Sequence, residues 1–153
     1  MHSKTLLSSK KFDCPCSSSQ PYSKCCQQYH KGAFPPSALE LMRSRYSAYA
    51  LGLCNYIIKT THRSSPYYNS NHEAWLKELT LFSSQITFEK LEILDTELGE
   101  TQAFVSFVAY LSKDGTDLTF SEKSFFLKDN HLWWYFKGKT GKGKLTKEML
   151  ENL

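Results

Sequence analysis

The chain has 153 residues, of which 41% are hydrophobic and 14% aromatic, and its formal net charge is a mild +4. These values indicate an ordered globular protein of one compact domain with a small appendage. No run approaches the roughly 18 apolar residues that a membrane-spanning helix needs. The N-terminus also lacks the hydrophobic core of a secretory signal. We therefore expect a cytoplasmic protein with reduced thiols and no membrane contact.

Four of the five cysteines are crowded into the segment CPCSSSQPYSKCC near the N-terminus. A Cys-x-Cys pair and a Cys-Cys pair are separated by eight residues, which gives Cys14, Cys16, Cys25 and Cys26. Four thiolates at this spacing can bind zinc tetrahedrally from one short loop. Two disulfides or a redox dithiol are the alternatives, but a reducing compartment disfavours the first and redox pairs usually have Cys-x-x-Cys spacing. We predict one structural zinc ion, because four protein ligands leave no position for substrate or water.

Two other residues are weaker metal candidates. His30 could substitute for one thiolate, but it lies four residues beyond Cys26. Cys54 lies in an apolar periodic stretch, so we interpret it as a buried small hydrophobe outside the metal site. Tyr22 is placed to pack over the site and exclude water.

The first long helix is predicted to follow a proline-containing linker, residues 32–36. Ser37 can act as its N-cap, with Glu40 completing a capping box. Gly52 breaks or bends this helix. Apolar residues recur at helical spacing along it, namely Leu39, Met42, Tyr46, Tyr49, Ala50 and Leu53.

Two further helical stretches are predicted before the pattern changes. The second covers residues 54–61. The third covers residues 71–82, begins with Asn71 as N-cap and carries its apolar residues on one face: Trp75, Leu79 and Phe82.

Beyond Ser84 the apolar residues alternate, which predicts strands. The four strands are residues 85–96, 101–112, 117–128 and 132–137, with a bulge near Glu89-Lys90 and hairpin turns at 113–115 and 128–131. Three helices followed by a four-stranded antiparallel meander indicate an α+β fold. Its sheet curls around the helices and leaves a cup-shaped cavity.

The C-terminal end is rich in lysine and glycine. Gly138, Gly141 and Gly143 discourage regular structure there, so residues 139–153 are predicted to be a solvated basic tail. Such a tail could also contact an acidic surface or a phosphate backbone. Its lysines are Lys137, Lys139, Lys142, Lys144 and Lys147.

The cysteine segment resembles the zinc-binding SEC-C motif, known from the C-terminal end of the preprotein translocase ATPase SecA. The next segment, PPSALELMRSRYSAYALG, resembles the hallmark of the YchJ family of small bacterial proteins. The stretch AYLSKDGTDLTFSEKSFFLKDNHLWWYFKG is similar to that family's closing hairpin. The chain departs from the family at residues 17–19, which are three serines where members usually have Gly-Ser-Gly; serine tolerates many turn positions.

The resemblance implies a fold and a division of the chain. Family members carry a SEC-C zinc knuckle followed by a nuclear transport factor 2-like (cystatin-like) domain, a cone of helices on a curved antiparallel sheet. We therefore assign residues 1–36 to the knuckle and linker, 37–138 to the α+β domain and 139–153 to the tail. Folds of this kind commonly pair through the outer face of the sheet, so the resemblance also allows a homodimer.

Five residues are candidates for the cup. Arg43 and Arg45 lie on the first long helix, His62 follows the second helix, Glu122 lies on the third strand, and Trp134 lies on the fourth. A charge pair of Glu122 with either arginine could serve a ligand, or could tie helix to sheet as an ordinary ion pair. His62 could act as a base, although a loop histidine more often has no catalytic role.

Three functions are compatible with these residues. The preferred hypothesis is a zinc-binding protein whose knuckle docks on a protein partner and whose cup binds a ligand or partner. The resembling SecA motif contacts the chaperone SecB and the ribosome. The alternatives are a small-molecule enzyme of the isomerase or dehydratase type in the cup, and a nucleic-acid or ribosome-associated protein. The strands carry few inward acids, so we expect a binding protein rather than an enzyme.

Overall fold

The computed structural model describes residues 12–153 of the chain. Residues 1–11, the first part of the segment assigned to the knuckle, lie outside the described residues. Within the described part, no helix is both long and apolar enough to cross a membrane. The elements in chain order are a 3-10 turn at Tyr22–Lys24, α1 (Gln27–His30), α2 (Ala38–Leu51), α3 (Cys54–Thr60), α4 (His72–Gln85), β1 (Thr87–Leu98), β2 (Gln102–Lys113), β3 (Thr116–Asp117), β4 (Phe120–Asp129), β5 (Leu132–Lys142) and α5 (Lys147–Glu151).

The ends of α2 follow the local signals in its sequence. The Ser37 hydroxyl oxygen accepts a hydrogen bond from the Leu39 N–H at 3.2 Å, which confirms the predicted N-cap. The predicted capping box is incomplete. In a full capping box the Glu40 side chain would bond the Ser37 backbone N–H, whereas here its carboxylate accepts a hydrogen bond from the Ser37 hydroxyl. Gly52 ends the helix with φ of 75°, a left-handed conformation that glycine adopts at little cost.

Helix α4 begins where the sequence predicts and ends three residues later. The Asn71 side chain accepts from the Ala74 N–H at 3.1 Å and caps the helix. Trp75 is buried, as predicted. Phe82 is 41% exposed, so the predicted apolar face is only partly covered.

The sheet is antiparallel with strand order β1-β2-β4-β5, and the two-residue β3 pairs with the end of β2. The predicted bulge is confirmed as a register shift between Phe88 and Lys90. Both predicted hairpin turns are also confirmed, since their central residues have positive φ as two-residue hairpin turns require. These residues are Asp114, Gly115, Asn130 and His131.

The prediction of an irregular tail at residues 139–153 is wrong for most of that segment. Strand β5 continues to Lys142 because β4 provides backbone partners as far as Phe120. The short helix α5 follows, with Thr146 accepting from the Met149 N–H as its N-cap. Leu150 of this helix is fully buried and packs α5 onto the strands. The glycines therefore lower the intrinsic strand preference without deciding the outcome.

The α+β class, with three helices against an antiparallel sheet, is confirmed. One contiguous apolar cluster runs from the cysteine segment through α2 and α3 to the inner face of the sheet. Helix α2 lies between the cysteine segment and the sheet, and few of its side chains are exposed. An open space remains between the helices and the sheet and forms the cup.

Candidate functional site

The four cysteines of the N-terminal segment form one sulfur cluster. Their Sγ atoms all lie within 4.8 Å of one another. Cys16 and Cys25 are 3.7 Å apart, and Cys25 and Cys26 are 3.9 Å apart. A tetrahedral zinc site with Zn–S bonds of about 2.3 Å requires sulfur separations of about 3.8 Å. The cluster therefore has the size of a tetrahedral metal site, whereas a disulfide requires about 2.05 Å.

Side chains of α2 and the knuckle turn surround the cluster. The Ser47 hydroxyl lies 3.3 Å from Sγ of both Cys14 and Cys26. Ser18 lies 3.2 Å from Sγ of Cys25. Hydroxyl groups at these distances can donate to thiolates and hold a metal's ligands in position.

Arg43 adds a positive charge to the cluster. Its guanidinium donates to the Cys16 carbonyl oxygen at 2.8 Å and lies 4.0 Å from the Cys16 sulfur. Four thiolates around a dication leave a formal charge of −2, which an adjacent guanidinium offsets. Arg43 therefore belongs to the surroundings of the sulfur cluster.

Hydrogen bonds among the cysteines and burial together set the protonation of the cluster. Hydrogen bonds with Cys14 and Cys26 lower the pKa of the Cys16 thiol. Desolvation raises the pKa of the Cys25 thiol to about 11. The pKa of Cys26 is also raised, chiefly by its hydrogen bonds to Cys14 and Cys16 and then by burial. The thiols of Cys25 and Cys26 therefore stay protonated at neutral pH unless a bound cation stabilises their thiolate forms. The donor set therefore fits a thiophilic dication, which releases protons as it binds.

His30 supports the knuckle and is not one of the clustered ligand residues. Its Nδ1 lies 2.7 Å from the Tyr22 hydroxyl, and its Nε2 lies 2.8 Å from the Ser44 carbonyl oxygen. A carbonyl can only accept, so Nε2 carries the proton and Nδ1 accepts from Tyr22. Burial lowers the pKa of His30, which favours this neutral form. Cys54 is buried in α3 and lies outside the cluster.

Two of the three serines of the knuckle turn take on a conformation that usually favours glycine. Ser17 and Ser19 have φ of 65° and 68°. Ser17 gains a contact in return, because its Oγ accepts a hydrogen bond from the Leu91 N–H of β1 at 2.9 Å. The turn is therefore formed without glycine, and one serine attaches the knuckle to the sheet.

The second candidate site is a cavity of about 250 Å³ between the helices and the inner face of the sheet. Its wall is mainly aromatic and aliphatic. Apolar lining residues include Met42, Ile57, Trp75, Phe88, Phe107 and Leu111. Its lining residues with polar groups are Arg45, Tyr46, Tyr49, Thr61, Tyr67, Glu122, Ser124 and Tyr135.

Arg45 is held in the cavity wall by neutral groups. Its Nη1 donates to the Ile57 carbonyl oxygen at 3.1 Å and to the hydroxyl oxygens of Thr60 and Thr61 at 2.8 and 3.1 Å. Its guanidinium carbon lies 4.4 Å from the centre of the Tyr135 ring, a cation–π contact.

Glu122 lies on the other side of Tyr135. Its carboxylate accepts hydrogen bonds from the hydroxyls of Tyr135 at 3.0 Å, Thr140 at 3.3 Å and Ser124 at 2.5 Å. Tyr135 therefore links the two charged residues, since Arg45 stacks on its ring and Glu122 accepts from its hydroxyl. Among the ion pairs of residues 12–153, none joins Glu122 to Arg43 or Arg45.

The five candidate cup residues are divided between different places. Arg45 and Glu122 line the cavity, whereas Arg43 faces the cysteine cluster. His62 lies outside the cavity lining, with its Nε2 2.8 Å from an Asp129 carboxylate oxygen. Trp134 also lies outside, and its indole N–H donates to the Asp129 carbonyl oxygen.

Sequence reasoning missed the roles of three residues. Ser44 and Ser47 are fully buried on α2, yet serines on a helix give no pattern signal. In the sequence, Tyr135 appears only as the neighbour of Trp134 in the segment similar to the family's closing hairpin. Its place in the cavity depends on a register shift between Phe125 and Phe126 in the β4–β5 pair, which reverses the alternation of faces.

Comparisons with known proteins agree with the arrangement of a cysteine knuckle on an α+β body. The family model "YchJ, middle NTF2-like domain" matches residues 37–138. The UPF0225 protein VP1145 of Vibrio parahaemolyticus is 39% identical over 128 residues, covering 82% of this chain and 73% of the relative. The UPF0225 protein NTHI0386 of Haemophilus influenzae is 39% identical over 127 residues, covering 80% and 74%.

Two solved structures have the same fold and are described as SEC-C motif proteins. The solution structure of RPA3114 from Rhodopseudomonas palustris has a TM-score of 0.69 and 26% identity, covering 83% of this chain and 97% of that one. The crystal structure of a protein from Psychrobacter arcticus has a TM-score of 0.67 and 25% identity, covering 87% and 85%. With its cysteine cluster, its cup and these relatives, the chain belongs to the YchJ family (UPF0225) of SEC-C motif proteins with a nuclear transport factor 2-like domain.

Proposed function

We propose that this protein is a zinc-stabilised binding protein whose cup takes a small, largely apolar ligand. The observation that carries the proposal is the cavity of about 250 Å³, which combines an aromatic wall with a few polar groups. Small-molecule sites have this composition, because apolar walls supply affinity and a few polar groups fix orientation.

The metal has a structural role in this proposal. Cys14, Cys16, Cys25 and Cys26 would hold zinc, the ion that four thiolates in tetrahedral geometry favour. All four coordination positions would be filled by protein, and three of the cysteines are buried. The bound ion would offset two of the four thiolate charges and fix the knuckle against α2, which also forms one wall of the cup.

The polar groups of the cavity favour binding over catalysis. Both oxygens of Glu122 already accept hydrogen bonds from protein hydroxyls. Burial, with a smaller effect of Glu122, raises the pKa of Tyr135, so its hydroxyl remains protonated at neutral pH. Neither group is left as an available base for a substrate proton.

Ligand-observed NMR with a library of small aromatic and branched aliphatic molecules tests the proposal. The variant Ala109→Leu fills the cavity, because Ala109 lies in its wall and is 2% exposed. Ala74→Leu on the exposed surface of α4 is the matched control. We expect molecules that bind the parent and Ala74→Leu but not Ala109→Leu. Ligand binding in the cup would be refuted if no molecule of the library binds, or if the molecules that bind the parent bind Ala109→Leu equally well.

Docking of a partner through the knuckle is a second candidate function. The observation in its favour is that the exposed residues between positions 12 and 31 are polar and include two lysines, Lys24 and Lys31. Such a surface suits an acidic protein or a ribosome. Co-sedimentation with purified ribosomes, using the parent and a Lys24→Glu, Lys31→Glu variant at low and high salt, tests it. Binding unaffected by charge reversal and salt would exclude this surface.

A further inference from the structure

Arg45 is a buried cation without an ionic partner in the described part of the chain. It is 8% exposed, and none of the ion pairs among residues 12–153 includes it. Charged side chains are rarely buried unless an opposite charge accompanies them. Arg45 also lines the cavity, and Glu122 in the same cavity is linked to it only through Tyr135, so a ligand could place a negative charge in direct contact with Arg45.

One end of the Arg45 guanidinium is fixed by the protein. Its Nη1 donates to three oxygens, those of the Ile57 carbonyl and of the Thr60 and Thr61 hydroxyls. The two threonine hydroxyls donate their own protons elsewhere, to the carbonyl oxygens of Tyr56 and Ile57, both at 2.7 Å. Their lone pairs therefore remain available for Arg45, which fixes the orientation of the guanidinium plane.

The opposite edge of Arg45 carries the N–H groups of Nε and Nη2. No residue of the described chain accepts a hydrogen bond from either nitrogen. These two nitrogens present parallel N–H groups at the spacing of the two oxygens of a carboxylate, the bidentate geometry that arginine favours. A carboxylate bound there would complete both the hydrogen bonding and the charge of Arg45.

The size and wall of the cavity define the rest of the ligand. An apolar cavity of about 150 Å³ can hold benzene, and a further atom of the size of a water needs about 30 Å³. A volume of about 250 Å³ therefore accommodates one aromatic ring and about three or four more heavy atoms. Phe88, Phe107 and Trp75 line the wall and suit such a ring.

We propose that the ligand of the cup is a small aryl-alkyl carboxylate whose carboxylate binds the Nε–Nη2 edge of Arg45. This inference rests on the proposed function, since it names the ligand class for the same cavity. Glu122 is a weaker site for an ammonium group, because most of its about four acceptor positions are already used. Its oxygens already accept from Ser124, Tyr135 and Thr140.

The test compares three ligands of matched size on the zinc-loaded full chain: phenylacetate, 2-phenylacetamide and 2-phenylethylamine. We expect calorimetric titration to give the order acid, amide, amine, with the acid about tenfold tighter than the amide. Arg45→Lys retains the charge but lacks the two-nitrogen edge. Its preference for the acid should therefore fall severalfold without vanishing, while its affinity for the amide changes little.

The outcomes separate this inference from the proposed function. Equal binding of acid and amide, or tighter binding of the amine, would overturn the role of Arg45 and leave ligand binding in the cup intact. Absence of binding by all three molecules would overturn the inference about the ligand class, and the library experiment with Ala109→Leu would still decide whether the cup binds a ligand. If Arg45→Lys does not fold, the order of the three ligands on the parent protein decides the question alone.

Discussion

Arg43 and Arg45 stand two residues apart on α2 and serve opposite sides of that helix. Arg43 donates to the Cys16 carbonyl oxygen at 2.8 Å, whereas Arg45 lies 4.4 Å from the ring centre of Tyr135 at the cavity. Residues at this spacing point about 200° apart around a helix of 3.6 residues per turn. Helix α2 is therefore a common wall of the sulfur cluster and the cup.

Loss of the metal should destabilise the whole protein. We expect elemental analysis of protein purified under reducing conditions to find one equivalent of zinc, and the double variant Cys25→Ser, Cys26→Ser to contain little. The variant, and the parent treated with a chelator, should unfold at lower temperature, because an ion that binds only the folded state adds its binding free energy to stability.

The matched control for this experiment is Cys54→Ala. It removes a buried thiol outside the cluster and should retain the metal. A parent without metal and with four titratable thiols in the cluster would contradict the zinc assignment.

Ser17 and Ser19 both have a left-handed backbone conformation, but their replacement by glycine should change the stability of the protein by different amounts. Ser19→Gly relieves a positive φ and should stabilise the zinc-loaded protein by about 0.5–1 kcal/mol. Ser17→Gly relieves the same strain but leaves the Leu91 N–H without its acceptor, so the two effects should nearly cancel. Ser17→Ala keeps the strain and loses the bond, and it should cost about 1 kcal/mol. Chemical denaturation ranks the three, and Ser17→Ala as stable as Ser17→Gly would contradict the argument.

Gly138 leaves room for Glu122. A Cβ at position 138 would overlap the Glu122 carboxylate, so Gly138→Ala must displace that side chain. The displacement breaks the hydrogen bonds from Ser124 and Tyr135 and should cost about 1–2 kcal/mol. In a Glu122→Ala background the same change should cost much less. Equal costs in both backgrounds would show that the two residues are not coupled.

His30 should make stability depend on pH. Burial lowers its pKa in the folded protein below the ordinary value of about 6.5, so the unfolded chain binds the proton more readily. Its contribution is therefore complete above about pH 6.5 and decreases as the pH falls towards the folded pKa. His30→Gln removes the titrating group while keeping hydrogen-bonding capacity.

Unfolding free energies of parent and His30→Gln, both loaded with zinc, measure this effect. The advantage of the parent should be larger at about pH 7.5 than at about pH 5.5. Because the cysteines are common to both proteins, their titration cancels in the difference. If the difference in unfolding free energy between parent and variant is the same at both pH values, the pKa of His30 does not differ between the folded and unfolded states.

Local signals predicted most of the fold. The Ser37 and Asn71 caps, the αL position of Gly52 and the two hairpin turns depend on neighbouring residues, which the sequence displays directly. The C-terminal strand and helix could not be predicted in this way. Strand β5 depends on pairing with β4, and α5 depends on burial of Leu150, a contact between residues distant in sequence.

The sulfur cluster was predictable because its ligands are near one another in sequence. The cup was less so, since Arg45 and Glu122 meet only through Tyr135, and the face of Tyr135 depends on the β4–β5 register. Neighbouring strand residues point to opposite faces. This explains why Trp134, the adjacent residue, lies outside the cavity.

The contiguous core has a consequence for how the protein can be dissected. Cys14, Cys16 and Cys26 share one apolar cluster with Leu41 of α2 and Phe126 of the sheet. The knuckle is therefore not an independent module on a flexible tether. Its deletion would expose the apolar side of α2 that it covers. We therefore expect the backbone amides of the knuckle turn and of α2 to show similar protection from hydrogen exchange, because both belong to one cooperative unit.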